Sequence, residues 1–206
     1  MSHPAIFLAS QSPRRQELLR QLGVRFELLL PQPDEDAEAL EATRRGESPS
    51  AYVRRVTGLK LQAAVQRWAR EERPRWPVLC ADTTVALGRR ILGKPQDDDE
   101  AAAMLQALSG RRHRVHTAVA LALPSRRGAL KVHEALCTSV VQFAPLSAAD
   151  IRAYVATGQP RGKAGAYAIQ GQAAQWIPRI TGSHSGIMGL PLSETATLLR
   201  QLKVAF

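Results

Sequence analysis

The stretch "PVLCADTTVAL", residues 77–87, narrows what this chain can fold into. It is rich in β-forming residues and reads as a central strand, so a sheet has to be built around it. One residue breaks its apolar character. Asp82 sits in the middle and is followed by two hydroxyls, Thr83 and Thr84. A buried carboxylate is costly unless a cation, a metal or hydrogen-bond donors meet it. Asp82 is therefore a candidate catalytic residue, although a strand-end aspartate bonding local backbone would look the same.

Shorter β-type runs at 5–9 and 26–30 flank a helix. Ser12 suits its N-cap, Pro13 its first position and Gly23 its stop. Ser48 and Pro49 open a second helix towards Trp68, carrying Tyr52, Val53, Val56, Leu59 and Lys60. The acidic region Asp34 to Glu47 between them reads as a mobile connection. Gly88 to Arg90 turns the chain into a hairpin. "DDDEAAAMLQALSG" has acids at its start and Gly110 as its stop, which predicts a helix. Residues 113–123 and 130–143 form an antiparallel pair around "PSRRG". Ser147 caps a helix to about Thr157, a Gly-rich connection covers 158–189, and a last helix runs from Ser193 to Leu202. Hairpins and crossovers intermix, which predicts an α/β or α+β domain with a mixed sheet. No repeat or linker divides the chain, so residues 1–206 are expected to form one domain.

The 206 residues include 28 Lys and Arg against 18 Asp and Glu, a net +10. That excess favours polyanionic partners. The basic residues are spread along the chain, and many read as ordinary surface arginines: Arg67, Arg70, Arg73, Arg75, Arg126 and Arg127. A small anion is therefore a better expectation than a nucleic acid. No apolar run is long enough to span a membrane, and Ala5–Ala9 is too short for a signal peptide. Cys80 and Cys137 match no metal spacing and suit reduced thiols in a cytosol.

Several motifs fail on inspection. "GQPRGKA" (158–164) is one residue short of a P-loop and has Ala164 where a hydroxyl is needed. "GSHSGIMG" (182–189) lacks dinucleotide-binding spacing. His113 and His116 are three apart on a strand and face opposite sides, so they cannot share a metal well. Ser10, Ser12 and Ser183 lack a nucleophile-elbow context.

Four polar elements remain. "SQSPRR" places Ser10, Arg14 and Arg15 around a helix N-terminus, where backbone N–H groups and guanidinium forks can bind an anion. The ordinary alternative pairs Arg14 with Glu17 in solvent. "CADTTV" contributes Asp82. "ILGKP" holds Lys94 out of helix geometry, free to meet a phosphate as a point charge. "KAGAYAIQG" has room for a flat ligand beside Gln170, or is simply a tightly packed connection. Glu35 and Lys60 could join this group. Together these residues suggest a polyphosphate beside a Mg²⁺ held by carboxylates and phosphate oxygens.

The motifs "LASQSPRRQELLRQLGVRFE", "PDE" (33–35), "GESPSAYVRRV", "ADTTVAL", "ILGKP", "LSGRRHRVHTAVAL", "KAGAYAIQG" and "GLPL" resemble, in this order, the Maf family of nucleotide pyrophosphatases over nearly the whole chain. The resemblance implies a two-lobed mixed α/β fold with flanking helices and a central cleft, as in ITPase-like proteins. It implies a cytoplasmic house-cleaning enzyme that cleaves a nucleoside triphosphate between its α- and β-phosphates, dependent on Mg²⁺ or Mn²⁺. It also implies a homodimer with no membrane and no stable nucleic-acid complex. By resemblance, Asp82 is the proton acceptor or a metal ligand with Glu35. Ser10, Arg15, Lys60 and Lys94 bind phosphate, and Arg14, Thr83 and Gln170 set the base. The words SPRR, ADT and IQG are similar to the dTTP/UTP group, whereas SPWR, SDQ and SEG mark a 7-methyl-GTP group. Competing readings are a non-catalytic nucleotide or nucleic-acid binding module and a division or septation regulator. Departures include Ala168 in place of Gly, "SHSGIMG", and Thr57–Gly58–Leu59, where Gly58 is expected to perturb the helix carrying Lys60.

Overall fold

A computed structural model describes residues 3–32, 35, 39–71, 73–125 and 131–206. Three long strands form its spine: β3 (Val78–Leu87), β5 (Arg112–Ala122) and β6 (Val132–Gln142). They pair antiparallel in that order. At one end β1 (Ile6–Leu8) adds parallel to β3, and β2 (Phe26–Leu28) adds parallel to β1. At the other end β4 (Arg90–Leu92) folds back on β3, and β7 (Arg179–Thr181) pairs with β6. The result is a seven-stranded mixed sheet with a lobe built around each end of its spine.

Helices cover both faces. The helix α1 (Pro13–Gln21) and the terminal α6 (Leu192–Gln201) pack on the face that presents Leu79, Ala81, Val119 and Leu121. The 22-residue α2 (Pro49–Arg70) covers the opposite face, setting Leu61, Ala64 and Trp68 against Val78, Cys80 and Ala120. In the second lobe α3 (Asp98–Leu108) and α4 (Ala148–Ala156) enclose Val85, Leu92, Val115, Phe143 and Tyr167. Ser147 and Asp150 make a reciprocal capping box for α4, which satisfies backbone groups that the helix cannot pair itself.

Gly58 does not interrupt α2 as expected. The helix runs through it, because its apolar stripe is buried on both sides and packing outweighs the ~1 kcal/mol glycine penalty. The connection at 158–189 is also more ordered than expected. It contains two short 3₁₀ turns, β7 and a one-turn α5 (His184–Met188) capped by Ser183. Short elements of that kind have no periodicity to read. Within the acidic connection, Asp34 and 36–38 lie outside the described residues, as do Pro33 and the turn residues 126–128. The remainder is tied to α2. The Tyr52 hydroxyl donates to the Glu41 carbonyl at 2.9 Å, and Arg55 donates to the Ala42 carbonyl at 2.9 Å.

Among the described residues, no helix is long and apolar enough to cross a membrane. Cys80 and Cys137 are buried free thiols. His113 and His116 have separate structural partners, Tyr167 Oη at 2.7 Å and Thr138 Oγ1 at 2.9 Å.

Candidate active site

The long strand β3 changes neighbours along its length. Its pairing with β1 ends at Leu79, and its pairing with β4 begins at Val85. Between them Asp82 and Thr83 keep β5 on one side and open to the cleft between the lobes on the other. Side chains alternate along a strand, so these neighbours point to opposite faces of the sheet. Asp82 shares the face of Cys80 and meets α2. Thr83 shares the face of Ala81 and meets α1.

On the α2 side, Lys60 Nζ lies 2.6 Å from Asp82 Oδ1 and 2.7 Å from Glu41 Oε1. Burial alone would lower the Lys60 pKa, but the adjacent Asp82 and Glu41 carboxylates overcome it and hold the ammonium charged. Lys94, on the hairpin after β4, reaches both Glu41 oxygens at 3.1 Å. Burial opposes the Glu41 charge, yet Lys60 and Lys94 together bring its pKa below the ordinary carboxylate value.

On the α1 side, Arg15 uses its whole fork. Nε donates to the Gly189 carbonyl at 2.8 Å, Nη1 to Ser10 Oγ at 3.1 Å and Nη2 to Thr83 Oγ1 at 3.5 Å. The Thr83 hydroxyl is 2.9 Å from that of Thr117, which donates to the Gly186 carbonyl at 2.7 Å. One hydrogen-bonded chain thus joins α1, β3, β5 and α5. Gly189 takes φ of 119°, a left-handed value suited to glycine, and this closes α5 with its carbonyl against Arg15. The Ser12 hydroxyl does not cap α1; its N–H instead donates to Ser10 Oγ at 3.2 Å.

Arg14 does not pair with Glu17 in this structure. It reaches across the cleft to lie against the side-chain amide of Gln170. Lys163 lies nearby, and its pKa is lowered by burial and by the charge of Arg14. The cleft encloses about 1300 Å³ and brings Ser10, Arg14, Arg15, Glu35, Lys60, Asp82, Thr83, Lys94 and Gln170 into one cavity.

Glu35 stands in that cavity but is not next to another carboxylate in any contact described. Its carboxylate is held by Arg67, at 3.0 Å to Nε and 2.5 Å to Nη2. Arg67 is thus no surface arginine. It is 4% exposed and also donates to the Leu29 carbonyl at 2.8 Å. Its place was legible in part, since Arg67 follows Lys60 by seven residues and shares its helix face. Nothing in the local sequence of Glu41 distinguishes it from the other acids of 34–47.

Among the described residues, no three His, Cys, Asp or Glu side chains gather as a metal cage. The donor set suits a hard divalent cation of the Mg²⁺ type, which takes one or two carboxylates and fills its shell with water and phosphate oxygens. Asp82, at the cleft floor and ringed by phosphate-binding side-chain types, fits that requirement.

Fold and site together define a mixed α/β protein with a cation-lined cleft between two lobes and Asp82 at the strand break. The family model for Maf-like protein matches residues 5–202, and the chain belongs to that family. A dTTP/UTP pyrophosphatase of Polaromonas sp. is 60% identical over 195 residues, covering 95% of this chain and 94% of its own. One of Burkholderia lata is 60% identical over 203 residues, 98% and 95% of the two chains. Among solved structures, a HAM1 protein from Coxiella burnetii superposes with a TM-score of 0.49 at 17% identity, over 98% of this chain and 100% of that one.

Proposed function

We propose that this chain, acting as one domain, is a nucleoside triphosphate pyrophosphatase that hydrolyses dTTP and UTP to the monophosphate and pyrophosphate. Relatives of 56–60% identity carry that activity in their names. The observation that carries the reading is the convergence of Asp82 with Lys60, Arg15 and Lys94 in one cleft whose far wall bears Arg14 and Gln170.

In this mechanism Asp82 takes the proton of the water that attacks the α-phosphorus. Lys60 on Oδ1 keeps the carboxylate oriented. Arg15, Lys60 and Lys94 meet the charge that builds on the leaving pyrophosphate, the electrostatic part of phosphoryl-group chemistry. Ser10 and the first N–H groups of α1 hold phosphate oxygens. Bound with the phosphates beside Asp82, a divalent cation would supply further charge neutralisation. Arg14, Thr83 and Gln170 select the base. A glutamine amide both donates and accepts, as the N3–H and O4 edge of uracil or thymine requires. The same reading carries a cytoplasmic location, in keeping with two buried free thiols, and a homodimer.

The deciding assay is pyrophosphate release from a panel of nucleoside triphosphates with Mg²⁺ or Mn²⁺. Release from UTP and dTTP ahead of purine nucleotides is the expected result. Salt-steep oligonucleotide binding with no pyrophosphate release would instead make the chain a binding module.

A further inference from the structure

The two lysines read above as phosphate ligands already share a partner. The Glu41 carboxylate lies 2.7 Å from Lys60 and 3.1 Å from Lys94, bridging them. We infer that Glu41 is a built-in competitor of the triphosphate, holding Lys60 and Lys94 where phosphate oxygens bind and swinging aside when a nucleotide enters. The inference rests on the reading of these lysines as phosphate ligands and adds a gatekeeping side chain to it.

The chemistry supports exchange. An ammonium is a compact point charge with three rotatable donors, so it accepts a carboxylate or a phosphate in the same place. Both anions make charge-assisted hydrogen bonds of similar length. Burial lowers the Arg15 pKa, and the charge of Glu41, with that of Asp82, acts against that lowering. A negative group there acts on all three cations read as phosphate ligands, Lys60, Lys94 and Arg15.

The architecture supports release without unfolding. Glu41 ends a single 3₁₀ turn, Ala39–Glu41; Tyr52 of α2 holds its carbonyl, and Arg55 holds that of the next residue, Ala42. Arg55 is itself paired with Glu47, at 2.6 Å. These ties hold the backbone and leave the side chain its rotamers. The Glu41 side chain is 26% exposed, so it has solvent to turn into. Lys60 retains Asp82 when Glu41 leaves, which keeps the floor of the cleft assembled. Glu41 therefore lowers affinity for polyphosphate while preserving the spacing of the lysines.

The test is Glu41→Gln, an isosteric change that removes the charge and leaves the backbone ties intact. Its KM for UTP should fall about two- to fivefold, the size expected for a partly exposed ion pair. Inorganic tripolyphosphate, titrated calorimetrically, should bind tighter by a similar factor, with kcat within about twofold of the parent. Tyr52→Phe, which frees the turn without emptying the core, should move both constants the same way by less. A higher KM, unchanged constants, or a kcat loss of about tenfold or more would overturn the inference. So would failure of tripolyphosphate to bind either protein. If the parent hydrolyses no nucleotide, the pyrophosphatase reading fails on its own, and the tripolyphosphate titration still decides the role of Glu41.

Discussion

Lys60 and Asp82 meet at 2.6 Å across the boundary between α2 and β3, where β3 has lost β1 and not yet gained β4. The ammonium is held charged beside the carboxylate, and both face the cleft. This pair ties the proposed chemistry to the sheet itself.

Asp82→Asn keeps the shape of the side chain and removes its capacity to take a proton. Turnover of UTP should fall by about 10²–10⁴, the usual contribution of a general base. Nucleotide affinity should be little changed, because the proposed phosphate ligands Ser10, Arg15, Lys60 and Lys94 are all retained. Steady-state kinetics and calorimetric binding of a non-hydrolysable UTP analogue check both parts. An active Asp82→Asn protein would refute the role.

Gln170→Glu places a carboxylate against Arg14. The two should form an ion pair, and the carboxylate, unlike the amide, can only accept hydrogen bonds from a base. Preference, measured as the ratio of kcat/KM for UTP over a guanine nucleotide, should drop about tenfold or more, the cost of leaving one polar edge of the base unpaired. An unchanged substrate profile would count against a base-reading role.

Glu35 and Arg67 make the protein sensitive to acid. The Arg67 hydrogen bond lowers the Glu35 pKa below its ordinary 4.5. The stability from this pair is therefore complete above about pH 4.5 and is lost as pH falls through the lowered folded value. Glu35→Gln should unfold more easily at neutral pH, by about 1–3 kcal/mol, because it leaves a buried guanidinium partly unpaired. The difference from the parent should shrink as pH falls from 5 towards 3. Urea titrations at stepped pH report this, and a gap that stays constant with pH would contradict it.

Gly165→Ala tests how the second lobe closes on β3. A Cβ there would lie 2.8 Å from Val85 Cγ1, and the residue holds φ of 68°. Overlap and a left-handed backbone should together cost about 1–3 kcal/mol. Chemical denaturation measures the loss. Since Val85 and Gly165 flank the strand break, KM should rise as well.

Much of this protein was already legible in its order of residues. The three spine strands, the caps at Ser48 and Ser147, and the starts of α1 to α4 follow from local chemistry. Caps, turns and alternation act over a few residues, so a linear reading captures them. The polar words around Ser10, Arg15, Asp82 and Lys94 stood out because a bland core has no use for them. Their assembly into one cavity was a tertiary outcome. Parity along β3 sends Asp82 to α2 and Thr83 to α1, and only the sheet order shows which helix covers which face. Glu41 and Arg67 show the same limit. One lies among ordinary acids and the other among ordinary arginines, and each acquires its meaning from a partner distant in sequence: Lys94 for Glu41, Glu35 for Arg67. Charge pairing across 32 residues, for Glu35 and Arg67, or 53, for Glu41 and Lys94, is set by the tertiary fold, and no local pattern encodes it.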